Sequence, residues 1–89
     1  MKKITLQSFS DPGHGWVKCK MSLLRDLGID KDISRFSYRR GDAAYLEEDC
    51  DVPRLMKALE TRGVEVKFKH SYTRSKSSKI RSYFSYTYL

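Results

Sequence analysis

The stretch Ala43 to Lys69, AAYLEEDCDVPRLMKALETRGVEVKFK, decides the fold, because it spells strand, helix and strand with both boundaries marked. Asp51 is an N-cap by type: its carboxylate can accept a first-turn backbone N–H and favours the positive end of the helix dipole. Pro53 follows in the first turn, where a missing N–H costs nothing. Val52, Leu55, Met56 and Leu59 recur at helical spacing and make one apolar stripe, while Arg54, Lys57, Glu60 and Thr61 face away. Gly63 ends the helix after Arg62. On either side, Ala43–Leu46 and Val64–Lys69 read as strands. From Val64 to Lys69 apolar and charged residues alternate strictly, which predicts one buried face and one wet face.

Working outward, Ile4 to Phe9 alternates as a first strand, with Ile4, Leu6 and Ser8 on one face. Asp11-Pro12-Gly13-His14-Gly15 is turn chemistry leading into Trp16-Val17-Lys18-Cys19-Lys20, a second short strand. Residues 21–28 read as a short helix with Leu23, Leu24 and Leu27 as its stripe, Ser22 as a candidate cap and Gly28 as its stop. Ile33 to Arg39 alternates again, and Arg40-Gly41-Asp42 turns it into Ala43, so residues 33–47 form a candidate β-hairpin. Residues 70–79 are polar, basic and serine-rich, and predict an exposed loop. The β-rich composition from Ile80 to Leu89 predicts a last strand, paired with Val64–Lys69 or standing at an edge. The expected architecture is α+β: two helices, 21–28 and 52–62, over a mainly antiparallel sheet of four to six strands. The order is β-β-α-β-β-α-β-β, and a split β-α-β unit in the middle is compatible with it.

The chain has 89 residues, the size of one small domain, and its hydrophobic content of 39% with 12% aromatic residues suits a packed globular protein. No apolar run approaches the length of a membrane span, and the two lysines of MKKITLQSF are not followed by the apolar stretch of a signal peptide. The expected location is cytoplasmic, with Cys19 and Cys50 reduced. The net charge of +7 is uneven: residues 1–65 hold 12 Lys and Arg against all 11 acids, and residues 66–89 hold 6 with no acid. Long-range attraction to phosphates or to an acidic protein surface therefore belongs to the C-terminal quarter.

Three sets of side chains invite a chemical reading. Glu47-Glu48-Asp49-Cys50-Asp51, with Asp42 nearby, offers carboxylates to a hard divalent cation. The same residues also suit a strand end and helix cap, or an acidic patch for a basic partner, and neighbouring Glu47 and Glu48 point to opposite faces of a strand. His14, Cys19, Cys50 and His70 are zinc ligands by type but lack the paired spacing that lets one turn deliver two ligands. His14 between two glycines could act as a general base, yet no nucleophile accompanies it, and no partner carboxylate beyond the nearby Asp11. No catalytic residue, metal or cofactor is expected. The strongest signal is the interleaving of cations and rings near the C-terminus. Lys67, Lys69, Tyr72, Arg74, Lys76, Lys79, Arg81 and Tyr83 are the expected contact residues, since Lys and Arg meet phosphates and exposed rings stack on bases. Tyr and Arg also anchor protein interfaces, and Phe84, Tyr86 and Tyr88 are expected on one face, buried or serving as an interface.

Asp11-Pro12-Gly13-His14-Gly15-Trp16, Ser22-Leu23-Leu24, Leu27-Gly28-Ile29, Phe36-Ser37-Tyr38 and Tyr45-Leu46-Glu47-Glu48-Asp49-Cys50-Asp51 together resemble a pattern in small proteins carried by bacteriophages and mobile elements, over nearly the whole chain. The resemblance implies provenance, not mechanism. Small phage proteins are often non-enzymatic binders that act on host or defence machinery. The expected function is thus a non-catalytic binding protein that docks on a host or defence protein or nucleoprotein complex, as an anti-CRISPR-type inhibitor does. The alternative is a nucleic-acid-binding accessory domain using residues 67–88.

Overall fold

In the computed structural model, which describes residues 2–73 and 79–89, the chain runs through six strands and two α-helices in the expected order. The strands are β1 (Lys2–Ser10), β2 (Gly15–Lys20), β3 (Tyr38–Arg40), β4 (Ala43–Glu47), β5 (Val64–Tyr72) and β6 (Phe84–Ser85); the helices are α1 (Met21–Asp26) and α2 (Val52–Thr61). One sheet holds all six strands in the order β5-β1-β2-β4-β3-β6. Every pairing is antiparallel except β1 with β5, so the fold is α+β with a mostly antiparallel sheet. β4 and β5 run parallel with β1 and β2 between them, which makes β4-α2-β5 a split β-α-β unit.

The alternation of side chains sorts the core into two layers. Leu6, Val17, Cys19, Ala44 and Leu46 project to the helical side, where Met21 and Leu24 of α1 and Leu55 and Leu59 of α2 bury against them. Trp16 and Tyr45 project to the opposite face and meet Ile80 in a smaller cluster. α1 and α2 both leave through glycines with positive φ, Gly28 at 72° and Gly63 at 69°, as helix ends in the left-handed region require. No helix among the described residues is long and apolar enough to cross a membrane.

Asp51 stands at the N-cap position but does not cap with its side chain. Its carboxylate, fully buried, accepts from Ser34 N (2.9 Å), Ser34 Oγ (2.6 Å) and Ser37 Oγ. Glu47 caps the preceding turn instead, its Oε2 accepting from Asp49 N at 2.9 Å and Cys50 N at 2.7 Å. The pull of Asp51 on both serines also explains why the expected strand from Ile33 shrinks to Tyr38–Arg40: residues 34–37 turn around the carboxylate rather than pair. A short 3-10 turn at Asp30–Asp32 precedes them. Gly41 begins the two-residue β3–β4 connection with φ of 58°. Ser22 is likewise not the cap of α1, which starts at Met21 without a side-chain cap.

The C-terminal region departs further from its sequence pattern. Val64–Tyr72 is an edge strand paired to β1, not to the end of the chain, and it takes in His70, Ser71 and Tyr72 from the expected loop. The last strand is only Phe84–Ser85 and pairs with β3 at the other edge. Before it, Lys79–Ser82 forms a 3-10 turn that buries Ile80. Phe84, Tyr86 and Tyr88 do not share one environment. Phe84 is exposed, Tyr86 is buried with its hydroxyl donating to the Asp30 carbonyl, and Tyr88 is partly exposed. Phe68 also lies exposed, so only Val64 and Val66 of β5 pack on the core.

Burial pushes the Cys19 thiol from 9.0 up to about 12. Burial, aided by the nearby Asp30, pushes the Tyr86 hydroxyl from 10.0 to about 12. Both folded values lie above the unfolded ones, so the neutral groups contribute stability fully below pH 9 and lose it as pH climbs toward 12. The melting temperature is expected to fall from about pH 9 upward, and Cys19→Ala to make the fall between about pH 9 and 10 shallower. Thermal scans across that range check it, and an unchanged slope in Cys19→Ala would remove the thiol from the account.

Candidate functional sites on the open sheet face

The face of the sheet away from the helices is set by register. Lys18 of β2 pairs with Tyr45 of β4, and Tyr45 pairs with Tyr38 of β3, so these three lie side by side. Arg40 follows on β3 with the same parity, and Lys67 and Lys69 of β5 share the face through Thr5 and Gln7 of β1. Tyr83 stacks at a tilt on Tyr45, ring centroids 5.1 Å apart. Arg40 lies 5.3 Å from the Tyr83 ring and Lys18 Nζ 5.9 Å from the Tyr45 ring. Between Lys18, Arg40, Lys79 and the rings of Phe9, Tyr45 and Tyr83 opens a broad cavity of about 960 Å³. Cations held over rings, around an open hollow, can meet an anion and stack a planar group at once.

A second, smaller cavity of about 300 Å³ lies on the same face, and Arg81 lines both. It brings together the two motifs that the sequence singles out, the His14 loop and the acidic run. Asp11 shapes the loop: its Oδ1 accepts from Gly13 N and His14 N, each at 2.9 Å, as in an Asx-type turn. Its carboxylate also takes both prongs of Arg81, at 2.7 and 2.9 Å. That clamp raises the Arg81 pKa further and fixes its guanidinium 5.3 Å from the Trp16 ring. Tyr38 meets Trp16 edge-on at 6.3 Å. Trp16 is 2% exposed, and its Nε1 has no hydrogen-bond partner among the described residues.

Across the cavity stands Glu47, buried at the end of β4 opposite Trp16. Its Oε1 is 3.6 Å from His14 Nδ1. The Glu47 carboxylate beside the Cys50 thiol raises the thiol pKa. Glu48 N donates to the Gly15 carbonyl at 3.0 Å. Gly15 leaves room for the Glu48 side chain: a Cβ there would sit 2.6 Å from Glu48 Oε2.

Of the expected contact residues, Lys67, Lys69, Lys79 and Tyr83 gather on the open face. Tyr72 is exposed but has the opposite parity, alongside His70, which bonds Ser8 and Ser10. Arg81 is engaged by Asp11. Arg74 and Lys76 lie outside the described residues. Lys18, Arg40, Tyr45 and Phe9 belong to this face and were not singled out by sequence; the alternation of Trp16-Val17-Lys18-Cys19-Lys20 was the available signal for Lys18. The four zinc-type residues do not assemble. Cys19 is in the core and His70 on the edge strand, and only His14 and Cys50 share a cavity. Asp42 sits in the β3–β4 turn, at the opposite end of β4 from Glu47.

Fold and site together define a small α+β domain whose open sheet face is basic and aromatic. No protein-family model, no curated protein and no solved structure matches this chain.

Proposed function

We propose that this chain is a small non-catalytic binding protein that takes single-stranded nucleic acid, free or within a nucleoprotein complex, on its open sheet face. The observation that carries the reading is the cavity where Lys18, Arg40 and Lys79 surround the half-buried rings of Phe9 and Tyr83, the latter tilted against the buried Tyr45. A strand laid there would meet cations along its phosphates and the half-buried rings of Phe9 and Tyr83 beneath its bases, and ring stacking contributes about 1–3 kcal/mol per base. Lys67 and Lys69 extend the positive track to the sheet edge. A hollow on a sheet suits unpaired bases better than a duplex, whose bases are already stacked.

Anisotropy of labelled random-sequence DNA and RNA strands across a salt series tests it. Affinity should fall steeply with log salt. Replacing Lys18, Arg40 and Lys79 together by Ala should flatten the log–log slope by about 2, if each charge meets one phosphate. Binding that is absent at low salt, or a slope unchanged in the variant, would defeat the reading.

Phe84 at 86% exposed and Phe36 at 71% favour a second reading, a protein-docking surface on a host or defence complex, as the phage resemblance implies. Capture of a partner from host lysate that survives nuclease and is lost in Phe84→Ser would support docking over nucleic-acid contact.

A further inference from the structure

We propose that His14, Glu47 and Glu48 form a binding site for a divalent first-row transition cation of the Zn²⁺ or Mn²⁺ type. This site is separate from the nucleic-acid reading and stands or falls without it. One ligand atom from each residue lies within 4.8 Å of the other two. The His14 Nδ1–Glu47 Oε1 separation of 3.6 Å is too long for a hydrogen bond. It is close to the spacing of two atoms that share one metal, roughly 3.4 Å for tetrahedral ligands each about 2.1 Å from the ion.

The surroundings hold the set in place. Glu47 Oε2 is tied down by Asp49 N and Cys50 N, so that carboxylate is oriented before any ion arrives. Asp11 bonds His14 N and fixes the loop that presents the imidazole. The bare Cα of Gly15 admits the Glu48 carboxylate. His14 and Glu48 are exposed, so their side chains are free to swing inward and close the set from a span of up to 4.8 Å onto a shared ion.

A second observation is independent of the ligands. Trp16 lines the same cavity as His14 and Glu47, and its buried indole N–H has no partner among the described residues. An oxygen carried by the metal, from water or from a bound anion, would give that donor an acceptor. The donor set selects the ion class. Two carboxylates and an imidazole suit Zn²⁺ or Mn²⁺, whereas Ca²⁺ and Mg²⁺ prefer oxygen alone.

The test is titration of tag-free protein with ZnCl₂ and with MnCl₂, read by calorimetry and by the emission of the single tryptophan. One ion per chain should bind and change Trp16 emission. His14→Ala and Glu48→Gln, both at exposed positions, should each weaken binding at least tenfold. His70→Ala should leave it unchanged. Absence of binding at millimolar metal, or equal binding in His14→Ala and Glu48→Gln, would overturn the site.

Discussion

Asp51→Ala is expected to lower the stability of the fold by about 3–5 kcal/mol, a large part of the 5–15 kcal/mol that holds a domain together. The carboxylate is fully buried and accepts from Ser34 N, Ser34 Oγ and Ser37 Oγ. Ser37, itself fully buried, passes the network on, because its hydroxyl accepts from Glu47 N at 2.8 Å and its carbonyl from Tyr86 N at 2.9 Å. One side chain thus ties the 34–37 turn, the start of α2, the end of β4 and the C-terminal segment together. Truncation strands buried donors, each costing about 1–3 kcal/mol. Asp51→Asn keeps the shape and one acceptor oxygen for Ser34 N, and the two hydroxyls can turn their protons away and accept from the amide NH₂, so its loss should be about 1–2 kcal/mol. Urea unfolding of the three proteins measures both differences. A loss below 1 kcal/mol in Asp51→Ala would mean that the network is not a structural hub.

Leu59→Ala should cost about 2–5 kcal/mol, from lost transfer free energy and the cavity left behind. Leu59 is 1% exposed and packs in the helical layer with Leu55, Leu24 and Leu6. A small domain offers few other contacts to collapse into the hole, which argues for the upper half of that range. Met56, on the same stripe but only partly buried, supplies the comparison, and its truncation should cost clearly less. If the two variants unfold at the same urea concentration, α2 does not present the face described.

The helix from Val52 to Thr61 and the alternation in β1, β2 and β4 were legible because their signals are local. Pro53, Gly63 and the spacing of Leu55 and Leu59 act within a few residues of where they stand. Asp51 illustrates the limit. Its type and position fit a cap, but a carboxylate this deeply buried goes where the most donors converge, and Ser34 and Ser37 lie 17 and 14 residues away. The site was legible in the same uneven way. The charge count located Lys67, Lys69 and Lys79, whereas Lys18, Arg40 and Tyr45 join them only because β2, β4 and β3 are neighbours. A count along the chain cannot see a face made of five strands.

By itself, then, the sequence determined the order of elements, the two helices with their buried stripes, and the basic character of the C-terminal quarter. Those features depend on backbone preference and side-chain period, which short windows carry. The tertiary structure decided the strand order, with β5 parallel beside β1 and β6 at the far edge. It also decided that the His14 loop and Glu47 line one cavity with Trp16 and that Glu48 comes close to both. Both follow from pairing residues more than thirty positions apart, and such pairing is settled by the summed packing of a whole sheet face rather than by any stretch of it.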